Sequence, residues 1–489
     1  MEKTYNWDVM NITKMNEVFV RVDCEESLAQ SLSDYFTFMV PGHEFMPSYR
    51  KKYWDGKIRL FNVRAKTLYI GLLPYLRKFA KENNATIKIN EKMDLVDEFS
   101  LYEAKEFVQS LNLPFEPRDY QLTAFVHAAR YRRCLLLSPT ASGKSLIIYL
   151  LTRFIQGRIL ILVPTVSLVS QMQKDFRDYG YEGTVHEIMA GAEKNTDERV
   201  VISTWQSIYK LPADYFKQFD AVIGDEAHLY KSKSLSKIMT NLENTKYRVG
   251  LTGTLDGTET HQLVLEGLFG PVYKVTETSK LMERKQLADF RIKALVLEYP
   301  DGIRRLAQNY KYNDEIDFLV SNEKRNAFIR NLALSLEGNT LILYQYVDRH
   351  GAVLYEDIKN RAGTRSVSFI HGGVASSDRE EVRSFTEKEA DGIIIASFGT
   401  FSTGINIRNL HNIIFASPSK SKVRVLQSIG RALRLGEDKE VATLYDIVDD
   451  LSYRDNHNYT LNHFIERMKI YNQEKFVYRI YNIKMGEQQ

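Results

Sequence analysis

Residues 138–145 read Ser138-Pro139-Thr140-Ala141-Ser142-Gly143-Lys144-Ser145, between an apolar run, Leu135 to Leu137, and an amphipathic stretch that begins at Lys144. A buried strand, a short loop and a helix N-terminus in that order make an anion site, because the N–H groups of the loop and first helical turn converge on it. Lys144 is then placed to reach β- and γ-phosphates, and the Ser145 hydroxyl to hold Mg²⁺. The strict pattern has Gly where this chain has Ser138, so the stretch draws its weight from what surrounds it.

A second apolar run, Ala221-Val222-Ile223-Gly224, leads into Asp225-Glu226-Ala227-His228. That placement puts Asp225 beside the metal and Glu226 where it can orient an attacking water. Leu251-Thr252-Gly253-Thr254 ends a third run, and Gln427-Ser428-Ile429-Gly430-Arg431-Ala432-Leu433-Arg434 carries two arginines three residues apart. Arg431 and Arg434 share one helix face and can both reach a γ-phosphate. The strand-linked segments fall at the ends of expected parallel strands, where open α/β sheets bind ligands. ATP and Mg²⁺ are the expected ligands.

In this order the four segments resemble motifs I, II, III and VI of the superfamily 2 helicases, of the DExH kind. Arg118-Asp119-Tyr120-Gln121 resembles the segment that reads adenine, and Pro164-Thr165-Val166-Ser167-Leu168 resembles motif Ia. Ser203-Thr204-Trp205-Gln206 resembles motif Ib, Phe369-Ile370-His371-Gly372-Gly373 motif IVa, and Ala396-Ser397-Phe398 through Ser402-Thr403-Gly404-Ile405-Asn406 motif V. The resemblance implies nucleotide contacts from Arg118, Gln121, Thr140, Ser142, Gly143, Gly404, Asn406 and Gln427. It implies strand contacts from Thr165, Thr204, His371 and Ser397, and coupling between motor domains through His228, Thr252, Thr254 and Gln427. It covers about residues 113–450. The whole chain is similar to the UvsW family of T-even phage helicases, including Arg21 to Ser27 and Trp54 to Leu60. Ala141 stands where the superfamily usually has Gly, which is costly at positive φ, so modest ATP affinity is expected. Motif III is Leu-Thr-Gly-Thr rather than the commoner Ser-Ala-Thr.

Short β-rich runs alternating with helical patterns, Leu135–Leu137, Ile159–Val163, Val200–Ser203, Ala221–Gly224 and Tyr247–Leu251, signal a parallel sheet covered on both faces. A second set follows at Leu341–Tyr344, Val367–Ile370, Gly392–Ala396, Ile413–Ala416 and Ala442–Tyr445. The expected fold is α/β: two tandem RecA-like domains, 113–275 and 276–455, a small α+β N-terminal domain, 1–112, and a helical tail, 456–489. The polar helical stretch Arg304–Glu337 reads as a lead-in to the second domain, and Asn462–Arg479 as one amphipathic helix. Because Lys144, Ser145, Asp225 and Glu226 lie on one domain and Arg431 and Arg434 on the other, the expected ATP site is complete only with both.

The 489 residues contain 66 Lys plus Arg against 62 acidic residues, a net charge of +4, so any nucleic-acid field must be local. Two cysteines, Cys24 and Cys134, argue against a disulfide framework. The N-terminus has no signal-peptide pattern and the apolar runs are too short to span a bilayer, so a cytoplasmic protein is expected, in the host cell if phage-encoded.

Between Phe45 and Lys66 stand seven basic residues, Arg50, Lys51, Lys52, Lys57, Arg59, Arg64 and Lys66, against the single acid Asp55. Tyr49, Tyr53, Trp54 and Phe61 are interleaved. Basic groups attract phosphate and aromatic rings stack on bases, so Arg50, Lys51, Lys52 and Trp54 are candidate nucleic-acid contacts. A solvated strand edge over buried aromatics fits the same residues. The expected activity is an ATP-dependent DNA helicase or branch-migrating translocase. The family likeness implies branched DNA or RNA–DNA hybrids as partners, with a monomeric motor and no membrane. The motor motifs do not distinguish the sugar, so an RNA helicase stays open, as does an ATP-gated clamp or annealing factor.

Overall fold

The computed structural model describes residues 9–90, 96–373, 390–404, 409–417, 421–433, 441–454 and 456–486. The chain divides into two compact units, residues 1–138 with 143–275, and residues 139–142 with 276–489.

The first unit opens with β1 (Val9–Lys14), β2 (Phe19–Asp23), β3 (Thr37–Met39), β4 (Lys57–Arg59), β5 (Phe61–Asn62), β6 (Thr67–Tyr69) and β7 (Thr86–Ile89). Five of these make a sheet in the order β5-β6-β2-β1-β7, and β3 with β4 forms a separate antiparallel pair. Met10, Ile12, Val20 and Val22 alternate inward with Asn11 and Arg21 outward, the period of a half-buried strand. The helices Glu26–Tyr35 and Leu73–Glu82 close the apolar face.

Next come β8 (Arg133–Leu137), β9 (Ile159–Val163), β10 (Val185–Ile188), β11 (Val200–Thr204), β12 (Ala221–Gly224), β13 (Tyr247–Thr252) and β14 (Val272–Lys274). All are parallel, in the order β10-β11-β9-β12-β13-β8-β14. Every residue of β9, β11 and β12 is buried, as a sheet with helices on both faces demands. The N-terminal sheet is fixed to this one: Arg133 Nη2 donates to the backbone oxygen and to Oε2 of Glu17, each at 2.6 Å. Burial would raise the Glu17 carboxyl, but Lys14 and Arg133 hold it below its ordinary range. Gly71 lies so close to the helix Glu259–Phe269 that a Cβ there would meet the Glu266 carbonyl oxygen at 1.9 Å. Any larger residue would lift the N-terminal sheet off that helix.

The second unit holds β15 (Asp289–Glu298), β16 (Thr340–Tyr344), β17 (Val367–Ile370), β18 (Ile393–Ser397), β19 (Asn412–Phe415), β20 (Val441–Asp450) and β21 (Val477–Lys484). These too are all parallel, in the order β17-β18-β16-β19-β20-β15-β21. Two RecA-like parallel sheets and a smaller α+β region are therefore the fold expected.

Two local readings are corrected. The tail is not one helix: the helix Tyr459–Gln473 ends and β21 joins the sheet edge beside β15. The stretch 304–337 is not a lead-in, because the helices Tyr312–Ser321 and Glu323–Ser335 bury Leu319, Ile329 and Ala333 against Leu297, Ile342 and Ile395 of the second sheet. Its polar residues carry weight inside. Arg325, 1% exposed, donates through Nε and Nη2 to Asp449 at 2.7 and 2.9 Å, and Arg467 pairs likewise with Asp446 at 2.8 Å. Among the described residues no helix is long and apolar enough to cross a membrane.

Candidate nucleotide and nucleic-acid sites

The loop after β8 takes its shape from two left-handed residues, Ala141 at φ 66° and Gly143 at φ 79°. Ser142 Oγ donates to the Pro139 carbonyl at 2.6 Å and closes the turn from inside. A Cβ on Gly143 would lie 2.3 Å from Gln121 Nε2, so glycine is required for the approach of that side chain. Gln121 accepts from the Arg118 N–H at 2.9 Å and donates to the Gly143 carbonyl at 3.4 Å, joining the start of the helix Asp119–Tyr131 to the loop. Arg118 Nη1 donates to the Tyr120 hydroxyl at 2.9 Å. The structure thus brings Arg118, Gln121, Gly143, Lys144 and Ser145 to one end of the sheet. Thr140 lies between the two turn residues Pro139 and Ala141.

Two strands away, β12 delivers Asp225 and Glu226 to the same carboxyl edge. Glu226 is itself left-handed, φ 48°, and its N–H donates to Asp225 Oδ1 at 2.9 Å. Burial first, then the neighbouring Glu226, push the Asp225 carboxyl up to about 6, with Lys144 pulling it back. A buried acid so raised is suited to a cation, which would supply the missing positive charge. Asp225 with the Ser145 hydroxyl is the donor set that could hold Mg²⁺. His228 Nδ1 lies 3.0 Å from Thr252 Oγ1, and that hydroxyl donates to the Thr254 carbonyl at 3.1 Å. His228, Thr252 and Thr254 therefore form one chain of contacts inside the first unit, linking the ends of β12 and β13.

Tyr179 carries no sequence signal, yet its hydroxyl lies 2.9 Å from Ser145 Oγ. It sits just past the helix Val166–Asp178, and its ring packs on Tyr149 one turn below Ser145. Only the folded chain brings residues 34 apart together here.

The four expected strand contacts fall in two pairs. Thr165 and Thr204 sit at the carboxyl ends of the neighbouring strands β9 and β11, their hydroxyls on Ser167 and Ser207 at 3.1 and 2.8 Å. Gln206 ties them together, donating to the Pro164 carbonyl at 3.4 Å. His371 and Ser397 close the neighbouring strands β17 and β18, and Ser397 Oγ donates to Thr400 Oγ1 at 2.8 Å. On the helix Lys422–Ala432, Gln427 is buried, and the backbone of Arg431 belongs to the same helix. Gly404 ends the helix Phe398–Gly404. Asn406 and Arg434 lie outside the described residues.

In the N-terminal region, the connection between β3 and β4, which includes the short helix Pro47–Arg50, carries Arg50, Lys51 and Lys52, all exposed, with Tyr53 at 85% exposure beside them. Among the described residues no carboxylate lies within ion-pair distance of these three cations. Arg59 instead pairs with Asp55 at 2.5 Å. Trp54 is half-buried, its Nε1–H donating to the Lys57 carbonyl at 2.9 Å. Phe61 belongs to the core at 1% exposure and is removed from the stacking set.

Comparison with known proteins agrees with this layout. Residues 10–90 match the family "DNA helicase UvsW, N-terminal", residues 114–257 "Type III restriction enzyme, res subunit" and residues 323–436 "Helicase conserved C-terminal domain". The ATP-dependent DNA helicase UvsW of Enterobacteria phage T4 is 36% identical over 487 residues, 94% of this chain and 96% of that protein. The chain belongs to superfamily 2, among the UvsW-like helicases. The crystal structure of T4 UvsW superposes with a TM-score of 0.51 at 32% identity, covering 97% of this chain and 99% of that one. The DNA 3′-5′ translocase XPB2 of Sulfurisphaera tokodaii is 26% identical over 68% of this chain and 81% of its own length. As a UvsW-like helicase, the chain acts on nucleic acid with ATP.

Proposed function

We propose that the chain is an ATP- and Mg²⁺-dependent DNA translocase that remodels branched DNA such as Holliday junctions, forks and RNA–DNA hybrid loops. The observation that carries this reading is the N-terminal sheet. It matches the UvsW N-terminal family, is bound to the first motor sheet through Glu17 and Arg133, and presents an exposed cationic tip with Tyr53. Bound Mg²⁺ would supply positive charge that offsets the charge developing on phosphoryl transfer. In this scheme Lys144 binds those phosphates, Asp225 and Ser145 hold the ion, and Glu226 orients water against the γ-phosphate. Gln121 and Arg118 select adenine, and Arg431 and Arg434 stabilise charge that develops on transfer. Thr165, Thr204, His371 and Ser397 grip sugar and phosphate, so sequence preference is weak. His228, Thr252 and Thr254 pass the state of the acid pair to the end of β13. The protein works as a monomer in the cytoplasm, the host's if phage-encoded.

Steady-state ATPase measured with single-stranded DNA, duplex, a four-way junction, single-stranded RNA and a hybrid tests the reading, with Lys144→Ala as the blank. Greatest stimulation by the junction is expected. Equal or greater stimulation by RNA would replace DNA as the substrate. ATPase without strand displacement would leave an ATP-gated clamp.

A further inference from the structure

The second sheet contains a cavity of about 210 Å³ at the carboxyl ends of β16 and β19. The strand order reverses there: from β16 the chain runs to the edge strand β17, returns to β18 between them, then crosses to β19 on the other side of β16. Doubly wound sheets bind ligands at such a reversal. Gln345 and Tyr346 follow β16, Ser417 follows β19, and Tyr312, Arg424 and His463 complete the walls from three helices.

Those walls are fixed from behind. Glu315, 1% exposed, accepts from Asn458 Nδ2 and from the N–H groups of Tyr459 and Thr460 at 2.8–2.9 Å, which locks the helix carrying Tyr312 to the helix carrying His463. Ser417 Oγ lies 3.2 Å from Nδ1 of buried His350, whose Nε2 lies 3.2 Å from Asn326 Oδ1. Arg424 Nη1 donates to Gln345 Oε1 at 3.1 Å across the mouth. The cavity is preformed and smaller than the roughly 300–1,000 Å³ of small-molecule pockets, so it suits a single heterocycle. Tyr312 offers a ring for stacking, and Tyr346, with the Arg349 guanidinium 4.5 Å from its centroid on one face, offers the other face to any base. Gln345, Ser417 and Arg424 offer donors and acceptors to a base edge.

We infer that this pocket takes one unstacked nucleobase of the strand on which the motor tracks, at the edge that also carries His371 and Ser397. The inference rests on the DNA-tracking function proposed above. It is tested on the full chain by the affinity for oligo-dT and for an abasic strand of equal length, with Tyr312→Ala, Tyr346→Ala and Tyr312→Phe. Each alanine variant should lose about tenfold on oligo-dT, the stacking of one base, and nothing on the abasic strand. Tyr312→Phe, which keeps the ring, should retain wild-type affinity. Melting curves show whether each variant folds. Equal losses on both strands would place a phosphate in the pocket, and unchanged binding of both would remove the pocket from the track. Either result overturns the inference. Failure of the unaltered chain to bind either strand would overturn the motor reading with it.

Discussion

The two motor sheets have the same strand order, position for position, with β8 to β14 corresponding to β15 to β21, yet they use their polar residues in opposite ways. The first places charge at its carboxyl edge: Lys144 after β8, Asp225 and Glu226 after β12, with Ala141 and Glu226 held left-handed. At the place of the phosphate loop, the second has Tyr299 after β15, and its hydroxyl donates to Asp449 at 2.9 Å inside the core. Arg325 completes that network on Asp449, and a second buried cluster joins Arg467 and Tyr471 to Asp446. One topology thus yields an edge strained for chemistry and an interior paired for rigidity. Damage to the first should appear as lost turnover and damage to the second as lost stability.

The largest effect expected is on turnover. Arg434→Ala should lower ATP hydrolysis by about 10³-fold or more while ATP binding persists, the usual weight of an arginine at a transferring phosphoryl group. Near-wild-type hydrolysis would leave the first sheet catalytically self-sufficient and break the comparison there. Next is Asp449→Ala, which strands the Arg325 guanidinium and should cost about 3–5 kcal/mol in urea unfolding. Arg325→Met combined with Asp449→Leu should recover most of that loss. A double variant as unstable as the single one would mean that the site needs its charges.

Acid should separate the sheets further. Burial, then Arg325, hold the His350 imidazole down at about 3, below its unfolded value of 6.5. The stabilisation from keeping it neutral is complete above pH 6.5 and is lost as pH falls towards 3, at about 1.4 kcal/mol per pH unit. Asp225 has the opposite sign. Its folded carboxyl is raised above 3.8, so it costs stability above about pH 6 and that cost disappears as pH falls through 6 towards 3.8. Acid titration followed by hydrogen exchange should loosen the second sheet first, and His350→Gln should flatten its slope. The acid limb of ATPase should lie near pH 6 at low Mg²⁺ and move lower as Mg²⁺ competes with the proton on Asp225. A limb indifferent to Mg²⁺ would remove Asp225 from the metal. The smallest effect belongs to Ala141→Gly, which relieves left-handed strain already present in the folded loop and should raise stability by up to about 1 kcal/mol in urea unfolding.

The first sheet was legible because its signals are local. Ile159–Val163 is an unbroken apolar run, and Lys144, Asp225 and Glu226 each sit within a few residues of the strand that positions them. Contacts such as Ser145 with Tyr179 and Gln121 with Gly143 have no sequence mark, since folding alone makes those residues neighbours. The tail departs from its sequence pattern for a specific reason. Its helix ends in a Schellman turn, Phe476 N–H to the Tyr471 carbonyl at 2.9 Å and Lys475 N–H to the Asn472 carbonyl at 3.1 Å. The left-handed position is Lys475, φ 58°, not the glycine that normally announces such a stop. With no break visible, the helical reading runs on into β21. The stretch 304–337 misled because its polar residues pair inside the fold, and a buried Arg325 looks in sequence like a solvated one.

The bond between Arg133 and Glu17 sets the direction in which force can travel. Arg133 is the first residue of β8, and the phosphate loop begins one residue past its last, Leu137. Five residues of strand, roughly 17 Å, form a stiff rod with hydrogen-bonded neighbours on both sides. A load on the N-terminal tip that reaches Glu17 has no slack to take up before it arrives at the nucleotide loop. If the tip bears load, as the proposed function requires, the N-terminal sheet and the phosphate loop share it through the two ends of one strand.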